Sequence, residues 1–488
     1  MKVALVSSAG DVPAISTREY SLETPAENIV ELNPEVYWRC CAEGIGKVLS
    51  KSGVDATAVK SVGVCSQGET LICLDDKGAP LRNAIVWMDS RSGAEAAEIK
   101  ERFWAGNNTG QTDMVACWPV TKILWLKRNE PEVYRATSRF MLPEDFILYK
   151  LTGSYVGEYS LYTSSCMLDI VNKKWWKEVL DYVGVSAEAL VELHESGRVV
   201  GEVLASVCSE TGLAEGTKVV TGAMDQTAAM IGAGNIKAGI VTETTGAALA
   251  ACGTVAAFPQ RRSEALAVQY HAIPDEYFII GWCPTGGMAF KWLRDVFFAA
   301  EKQRAEEAGK DAYDLMTEAA SAVRPGSEGL TFLPYLAGPG TGNIAEDARG
   351  VFFGLELHHN RGHFARAVME SIGFVLREMI GEMEEMGLEC SEIRSLGGGS
   401  KSRLWKQIKA DILGKPVTTM KCPEAAALGT AILQGRAVGT FDSFAEAVEN
   451  IVRTDSVVEP IRENVKAYEA AFERFERVNR CCFGKGKE

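Results

Sequence analysis

Residues Thr221–Gly234 read TGAMDQTAAMIGAG, and the reading of this stretch decides the fold. A short apolar run, Lys218–Val220, stops at Thr221-Gly222; Asp225 and a helix of small residues, Gln226–Ile231, follow and end in Gly232-Ala233-Gly234. Strand, tight turn and helix in that order belong to an α/β sheet, and open sheets of this kind bind ligands beyond their strand ends. Asp225 stands at that mouth with two roles open to it. It can cap the helix by accepting a bond from a first-turn N–H, the commoner role for an aspartate so placed. It can instead face a ligand and take a proton from it. The rest of the chain favours the second role.

The bulk properties narrow the field. A chain of 488 residues exceeds a single core and predicts two or three domains. With 47% hydrophobic and 24% charged residues it has an ordinary globular composition. No apolar run reaches the length of a membrane span, and MKVALVSSAG is too poor in apolar residues for a secretory signal, so the expected compartment is the cytoplasm. The thirteen cysteines form no CxxC pair and the five histidines no ligand spacing beside them, which predicts reduced thiols and no structural zinc. A net charge of −14 argues against nucleic acid or an anionic membrane as partner. A nucleotide stays open, because main-chain amides and a metal ion can hold one.

Upstream, Lys2–Val6 reads as a strand, Ser7–Asp11 as a turn and Val12–Tyr20 as its return. Asn33-Pro34 starts a helix that runs to Ser50. The buried-type strand Val59–Cys65 leads into Ser66-Gln67-Gly68-Glu69-Thr70, and Ala84–Trp87 ends in Met88-Asp89-Ser90-Arg91; two polar clusters at strand ends suit a small polar ligand. Pro119–Asn129 and Pro143–Leu151 read as amphipathic helices, whereas the hydroxyl-rich EYSLYTSSCMLD, Glu158–Asp169, reads as a polar surface connection. Downstream the pattern restarts at Ile240–Glu243, with a turn at Thr244-Thr245-Gly246 and a return strand over Ala247–Cys252. Further on come a helix opening on Gly286-Gly287, a long helix capped by Asn360, a strand closing in Gly397-Gly398-Gly399, and a helix over Arg403–Leu413. The two halves read as a duplicated unit divided near Asn235–Gly239. The three glycines are neither a P-loop nor a GxGxxG fingerprint; they allow close approach of an adenine or ribose, though tight strand-to-helix packing is the commoner cause.

Six segments stand in one order: WMDSR (Trp87–Arg91), PVTKILWLKRN (Pro119–Asn129), GAMDQTAAMIGAG around Asp225, FLPYLAG (Phe332–Gly338), ARGVFFGL (Ala348–Leu355) and GGGSKSRLWKQIKADILGKPV (Gly397–Val417). In these the chain resembles the FGGY carbohydrate kinases over nearly its whole length. The resemblance implies two α/β domains of actin-like (RNase H-like) fold, of the ASKHA superfamily, spanning residues 1–236 and 237–488 about a central cleft. It implies a sugar or polyol held mainly by the first domain, ATP by the second, and Mg²⁺ with the phosphates. Asp225 matches the family's catalytic base and, through water, a ligand of the metal. Gln67, Glu69, Asp89, Arg91 and Gln226 match contacts to the sugar or their support. Thr244, Thr245, Gly246, Thr285, Gly286 and Gly287 match the surroundings of the phosphates, and Gly398, Gly399 and Arg403 the adenosine motif. A homodimer is carried as a further partner expectation.

Departures from the family pattern shape the functional expectation. Family members place a strand and an Asp-x-Gly-Thr turn ahead of the segment matching Lys2–Val6, and the second half here opens strand–turn–strand while the first opens on the return strand alone. The expectation is a missing N-terminal segment of roughly ten to fifteen residues. Gly246 is followed by Ala247 where the family carries threonine, so a hydroxyl donor to phosphate rests on Thr244 or Thr245. Pro339–Asn343, PGTGN, lacks the family's usual Glu-Arg-Thr-Pro. Gly68 stands where glycerol kinase has arginine, and the histidine of xylulokinase's Gln-Met-His-Gly is absent; the glycine is expected to leave room for a substrate of about five or six carbons. The expected activity is ATP-dependent phosphorylation of such a sugar or polyol, a ketopentose, a deoxyketohexose or a relative. The alternative is a non-catalytic sugar- or nucleotide-binding member, motivated by the absent turn and Ala247.

Overall fold

Apolar runs bounded by turn residues become strands, and segments with apolar residues every three or four positions become the helices that cover them. A computed structural model describes residues 1–104, 108–307, 309, 311–340, 344–345 and 347–484. The elements gather into two units. One comprises Met1–Ile236, Val268–Tyr277 and Glu424–Val452; the other comprises Lys237–Ala267, Phe278–Pro423 and Arg453–Glu488. The expected cut between residues 236 and 237 coincides with the first boundary between the units, and two later segments, Val268–Tyr277 and Glu424–Val452, also join the first unit.

The first unit opens with β1 (Lys2–Leu5) and β2 (Ala14–Thr17), an antiparallel hairpin against which α1 (Glu35–Ser52) packs. Asn33 starts that helix by accepting from the main-chain N–H of Glu35 at 2.9 Å. Next come β3 (Ser61–Ser66), α2 (Pro143–Thr152), β4 (Val199–Glu202), β5 (Lys218–Met224) and α3 (Asp225–Gly232). Strands β4, β5 and β3 form one sheet in that order, β5 running parallel to β3 and antiparallel to β4. The segment Glu158–Asp169, expected at the surface, is buried apart from the half-buried Tyr159 and Asp169 and packs behind the start of α3. Ser160 Oγ accepts from the Met224 N–H at 3.1 Å, and the Glu158 carboxylate accepts from Ser160 and Ser196. Hydroxyl-rich sequence marks a surface only when its hydroxyls lack partners in the protein, and here they have them.

The second unit continues with β6 (Gly239–Thr245), β7 (Leu249–Val255), β8 (Tyr277–Cys283) and α4 (Gly287–Phe297). It goes on through α5 (Arg361–Glu385), β9 (Cys390–Leu396), α6 (Arg403–Leu413) and β10 (Val417–Met420). The chain then gives α7 (Ala425–Ala437) to the first unit and returns with β11 (Thr454–Val458). Six of this sheet's seven strands run in the order β8-β7-β6-β9-β10-β11. The parallel β9–β10 and antiparallel β10–β11 pairs repeat the β3–β5 and β5–β4 pairs of the first unit, and the neighbours β7 and β8 repeat the hairpin β1–β2. In the first unit no strand among the described residues fills the lane that β6 fills here.

Helix α3 is held from behind by α7. A Cβ at Gly232 would lie 1.8 Å from the Ala425 carbonyl oxygen, and one at Gly429 would lie 1.8 Å from that of Ala228. Only two glycines facing each other let the backbones come this close. All thirteen cysteines are free thiols. Among the described residues no helix is long and apolar enough to cross a membrane.

Candidate active site

Strand β5 delivers Asp225 to the first position of α3, and Met224, not Asp225, occupies the cap position. The Asp225 carboxylate still accepts from the first-turn N–H of Gln226. Its side chain reaches solvent, yet the crowding protein raises its pKa to about 6, and only the main-chain N–H of Gln226 pulls it back. The end of a parallel strand and the start of a helix thus set one accessible carboxylate where main-chain N–H groups favour negative charge.

Glu69 lies in the loop after β3, the strand paired with β5, and its field meets that of Asp225. Burial raises the Glu69 carboxyl to about 7, the charge of Asp225 adds to the rise, and hydrogen bonding from Ser164 and the charge of Lys122 oppose it. Lys122 is fully buried; it donates to the carbonyls of Glu69 at 2.8 Å and Val86 at 3.0 Å. Desolvation lowers its pKa to about 8. Asp225 therefore gives up its proton at a lower pH than Glu69 does. Gln67 is tied to the buried Thr70 through its amide at 2.8 Å, and Thr70 also accepts from the Trp87 N–H at 3.0 Å.

Asp89 and Arg91 turn inward. The Asp89 carboxylate is buried and accepts from the Val30 N–H at 2.6 Å and the Arg91 guanidinium at 2.7 Å, while Arg91 also bonds Glu31 and lies over Trp125. Saturated groups of this kind support a neighbouring surface, here the half-exposed Trp87 and Met88, which our sequence reading passed over. A WMDSR motif with two large apolar residues ahead of a self-paired Asp and Arg carries that signal. Lys122 was also missed, because one lysine in an amphipathic helix reads as solvent-facing. Gly68 corrects another expectation. A Cβ there would lie 2.2 Å from Ser164 Oγ and 2.7 Å from the Leu161 carbonyl oxygen, so the glycine makes room for the protein's own chain and not for a larger ligand.

In the second unit, the turn after β6 is laced to the start of α4. The N–H groups of Gly286 and Gly287 donate to the carbonyls of Ala247 at 2.8 Å and Gly246 at 2.7 Å. Thr285 is buried and its hydroxyl accepts from the Ala337 N–H at 3.1 Å, so it braces this loop. Along β6 successive side chains face opposite ways. Thr245 points inward, donating to Glu243 and accepting from Lys409, which leaves Thr244 as the turn's more accessible hydroxyl. Gly397, at φ 75°, and Gly399 pack on Thr245; Gly398 lies between them, and Arg403 is exposed at the first position of α6. Of the Pro339–Asn343 loop, residues 341–343 lie outside the described residues.

Two other groupings have the makings of a ligand site. His358, His359 and His363 bring one ring nitrogen each within 4.8 Å of the others. Main-chain N–H groups donate to Nδ1 of His359 at 3.0 Å and of His363 at 3.2 Å, which puts the ring proton on Nε2 and leaves those two rings no lone pair for a metal. Surface cavities of about 630 and 470 Å³ in the first unit are lined by residues such as Tyr155 and Trp175, and Gly197 and Arg436; neither includes Asp225.

The first 232 residues match the FGGY family of carbohydrate kinases, N-terminal domain, and residues 240–438 match its C-terminal domain. A xylulose kinase of Bacillus subtilis (strain 168) is 29% identical over 485 residues, covering 98% of this chain and 94% of its own. A gluconokinase of the same organism is 29% identical over 484 residues, covering 98% and 93%. The crystal structure of a ligand-bound xylulose kinase from Lactobacillus acidophilus superposes with a TM-score of 0.89 at 25% identity over 99% of this chain and 95% of that one. The structure of a Plasmodium falciparum glycerol kinase with ADP, 20% identical over 98% of this chain and 96% of that one, shares the fold at a TM-score of 0.85. With both domain models matched in order over most of its length, the chain belongs to the FGGY family of carbohydrate kinases.

Proposed function

We propose that the protein transfers the γ-phosphoryl group of ATP to a hydroxyl of a neutral ketose of about five carbons, with Asp225 as general base. The observation that carries this reading is the accessible Asp225 carboxylate, raised to about 6, beside a Glu69 that keeps its proton to about 7. At neutral pH Asp225 accepts the proton of the attacking hydroxyl while Glu69 and Gln67 hold neighbouring hydroxyls. The exposed ring of Trp87 offers an apolar wall for a sugar face. Asp225 has a carboxylate oxygen suited to a hard cation or its water, so it would hold Mg²⁺, which when bound neutralises phosphate charge. The turns at Thr244–Gly246 and Gly397–Gly399 supply main-chain N–H groups for the nucleotide.

Relatives of similar identity divide between xylulose kinases and gluconokinases. The electrostatics favour the neutral substrate. Asp225, ionised at neutral pH, makes the site acidic, and Lys122, the buried cation near Glu69, already donates to two carbonyls. A gluconate carboxylate would meet like charge there. A coupled assay with ATP-Mg²⁺ against D-xylulose, L-xylulose, D-ribulose, gluconate and glycerol tests the reading. The expected result is a kcat/KM for one ketopentose at least tenfold above that for gluconate. Gluconate as the best substrate overturns the neutral-ketose assignment, and no turnover with any of the five overturns the ketose-kinase reading.

A further inference from the structure

The buried core of the second unit holds an ion pair that the phosphoryl-transfer reading does not use. Glu243 on β6 and Lys409 on α6 are both fully enclosed, with Nζ 2.6 Å from Oε1. Taking two charges out of water is costly, and a pair of apolar side chains of the same volume would usually serve stability as well or better. The pair is also fully connected. Lys409 Nζ donates to Thr245 Oγ1 at 2.8 Å, the Thr245 hydroxyl donates to Glu243 Oε2 at 2.8 Å, and the Ser395 hydroxyl donates to Glu243 Oε1. Four side chains on three elements, β6, β9 and α6, thus close one network.

The network ends at the turn. Thr245 is the last residue of β6, and the glycine loop after β9 is built against it: a Cβ at Gly397 would lie 2.9 Å from the Thr245 carbonyl oxygen, and one at Gly399 would lie 2.7 Å from Thr245 Cβ. With contacts this tight, the position of Thr245 bears directly on the glycine loop. We propose that the Glu243–Lys409 pair, with Ser395, is a positioning device that sets the Thr244–Gly246 turn against the Gly397–Gly399 loop and so tunes affinity for the phosphates of a bound nucleotide. The proposal rests on the reading that these two loops hold the nucleotide. Charge suits the task because a directional network admits one arrangement of the turn, where an apolar contact would admit several.

The test uses the full-length protein and four variants: Lys409→Met, Glu243→Gln, the double variant of both, and Ser395→Ala. Each single variant at the pair leaves a buried group uncompensated and is expected to lower the melting temperature. The double variant, neutral and close in volume, is expected to recover most of that loss. Affinity for ADP by titration calorimetry, and KM for ATP, are expected to weaken at least tenfold in the double variant and about threefold in Ser395→Ala, with KM for the sugar within twofold of the parent. A merely structural pair predicts the opposite: the folded double variant, or Ser395→Ala should the double variant fail to fold, binds ADP as the parent does, and that result overturns the proposal. Hydrogen exchange of the parent with and without ADP separates the two layers. Protection at 244–246 and 397–399 supports the nucleotide reading independently of the variants; no protection there overturns that reading and the proposal with it.

Discussion

At the scale of single residues, the proposed chemistry rests on two carboxyls that protonate at different pH. Asp225 sits one position inside the helix with a single main-chain donor, so its removal costs little structure. Asp225→Asn is expected to lower kcat by about 10²- to 10⁴-fold, the range for a lost general base, with a circular-dichroism melt close to the parent's. The base must be ionised, so kcat/KM should rise with pH through about 6 and fall away below it. Glu69 still holds its proton there, so Glu69→Gln should leave that acidic limb near 6 while weakening KM for the sugar. A pH profile whose limb disappears in Glu69→Gln would move the role of base to Glu69.

At the scale of elements, the active helix is only as well placed as its two neighbours allow. Helix α7 approaches α3 backbone to backbone, and Gly429→Ala puts a methyl carbon where the Ala228 carbonyl already is. We expect about 1–3 kcal/mol of destabilisation in urea melts together with a fall in kcat. Gly381→Ala, on α5 where a Cβ meets open space, should instead be neutral or stabilising by up to about 1 kcal/mol. Helix α2 holds β5 from the other side: Glu144, fully buried, accepts from the Gly222 N–H at 2.8 Å. Burial and the nearby charge of Glu158 raise the Glu144 carboxyl well above its usual range. A carboxyl raised in the folded state contributes its full stability below the unfolded value near 4.5 and loses it as pH climbs above that. The urea midpoint of the parent should therefore fall between pH 5 and pH 8, and Glu144→Gln should flatten that fall.

At the scale of the whole molecule, the chain visits the first unit three times. Residues 424–452 belong to it although they lie nearly two hundred positions beyond the expected cut at 236. A fragment of residues 1–236 lacks the helix that covers α3 and exposes the apolar face meant for it. Such a fragment should lack near-ultraviolet circular dichroism and bind a hydrophobic dye, and adding a peptide of residues 424–452 should restore tertiary signal. A fragment that folds cooperatively alone would show that α7 is dispensable.

Local pattern alone determined a great deal here. The strand and helix that meet at Asp225, the helices at Pro119–Asn129 and after Asn360, and the duplicated order of strands were legible, because hydrophobic period acts over a few neighbouring residues; the tight turn expected at Thr221-Gly222 was not found, since both residues continue the strand to Met224. Contacts between distant segments were not legible, because pattern says which face is apolar and not what covers it. Only the tertiary structure decided that most of Glu158–Asp169 is buried, that Gly68 yields to Ser164, that Asp89 and Arg91 satisfy each other, and that Thr245 is claimed by Lys409. In each case a side chain's role was set by a partner tens or hundreds of residues away, or by which face of the element it occupies, and that is fixed by packing rather than by composition.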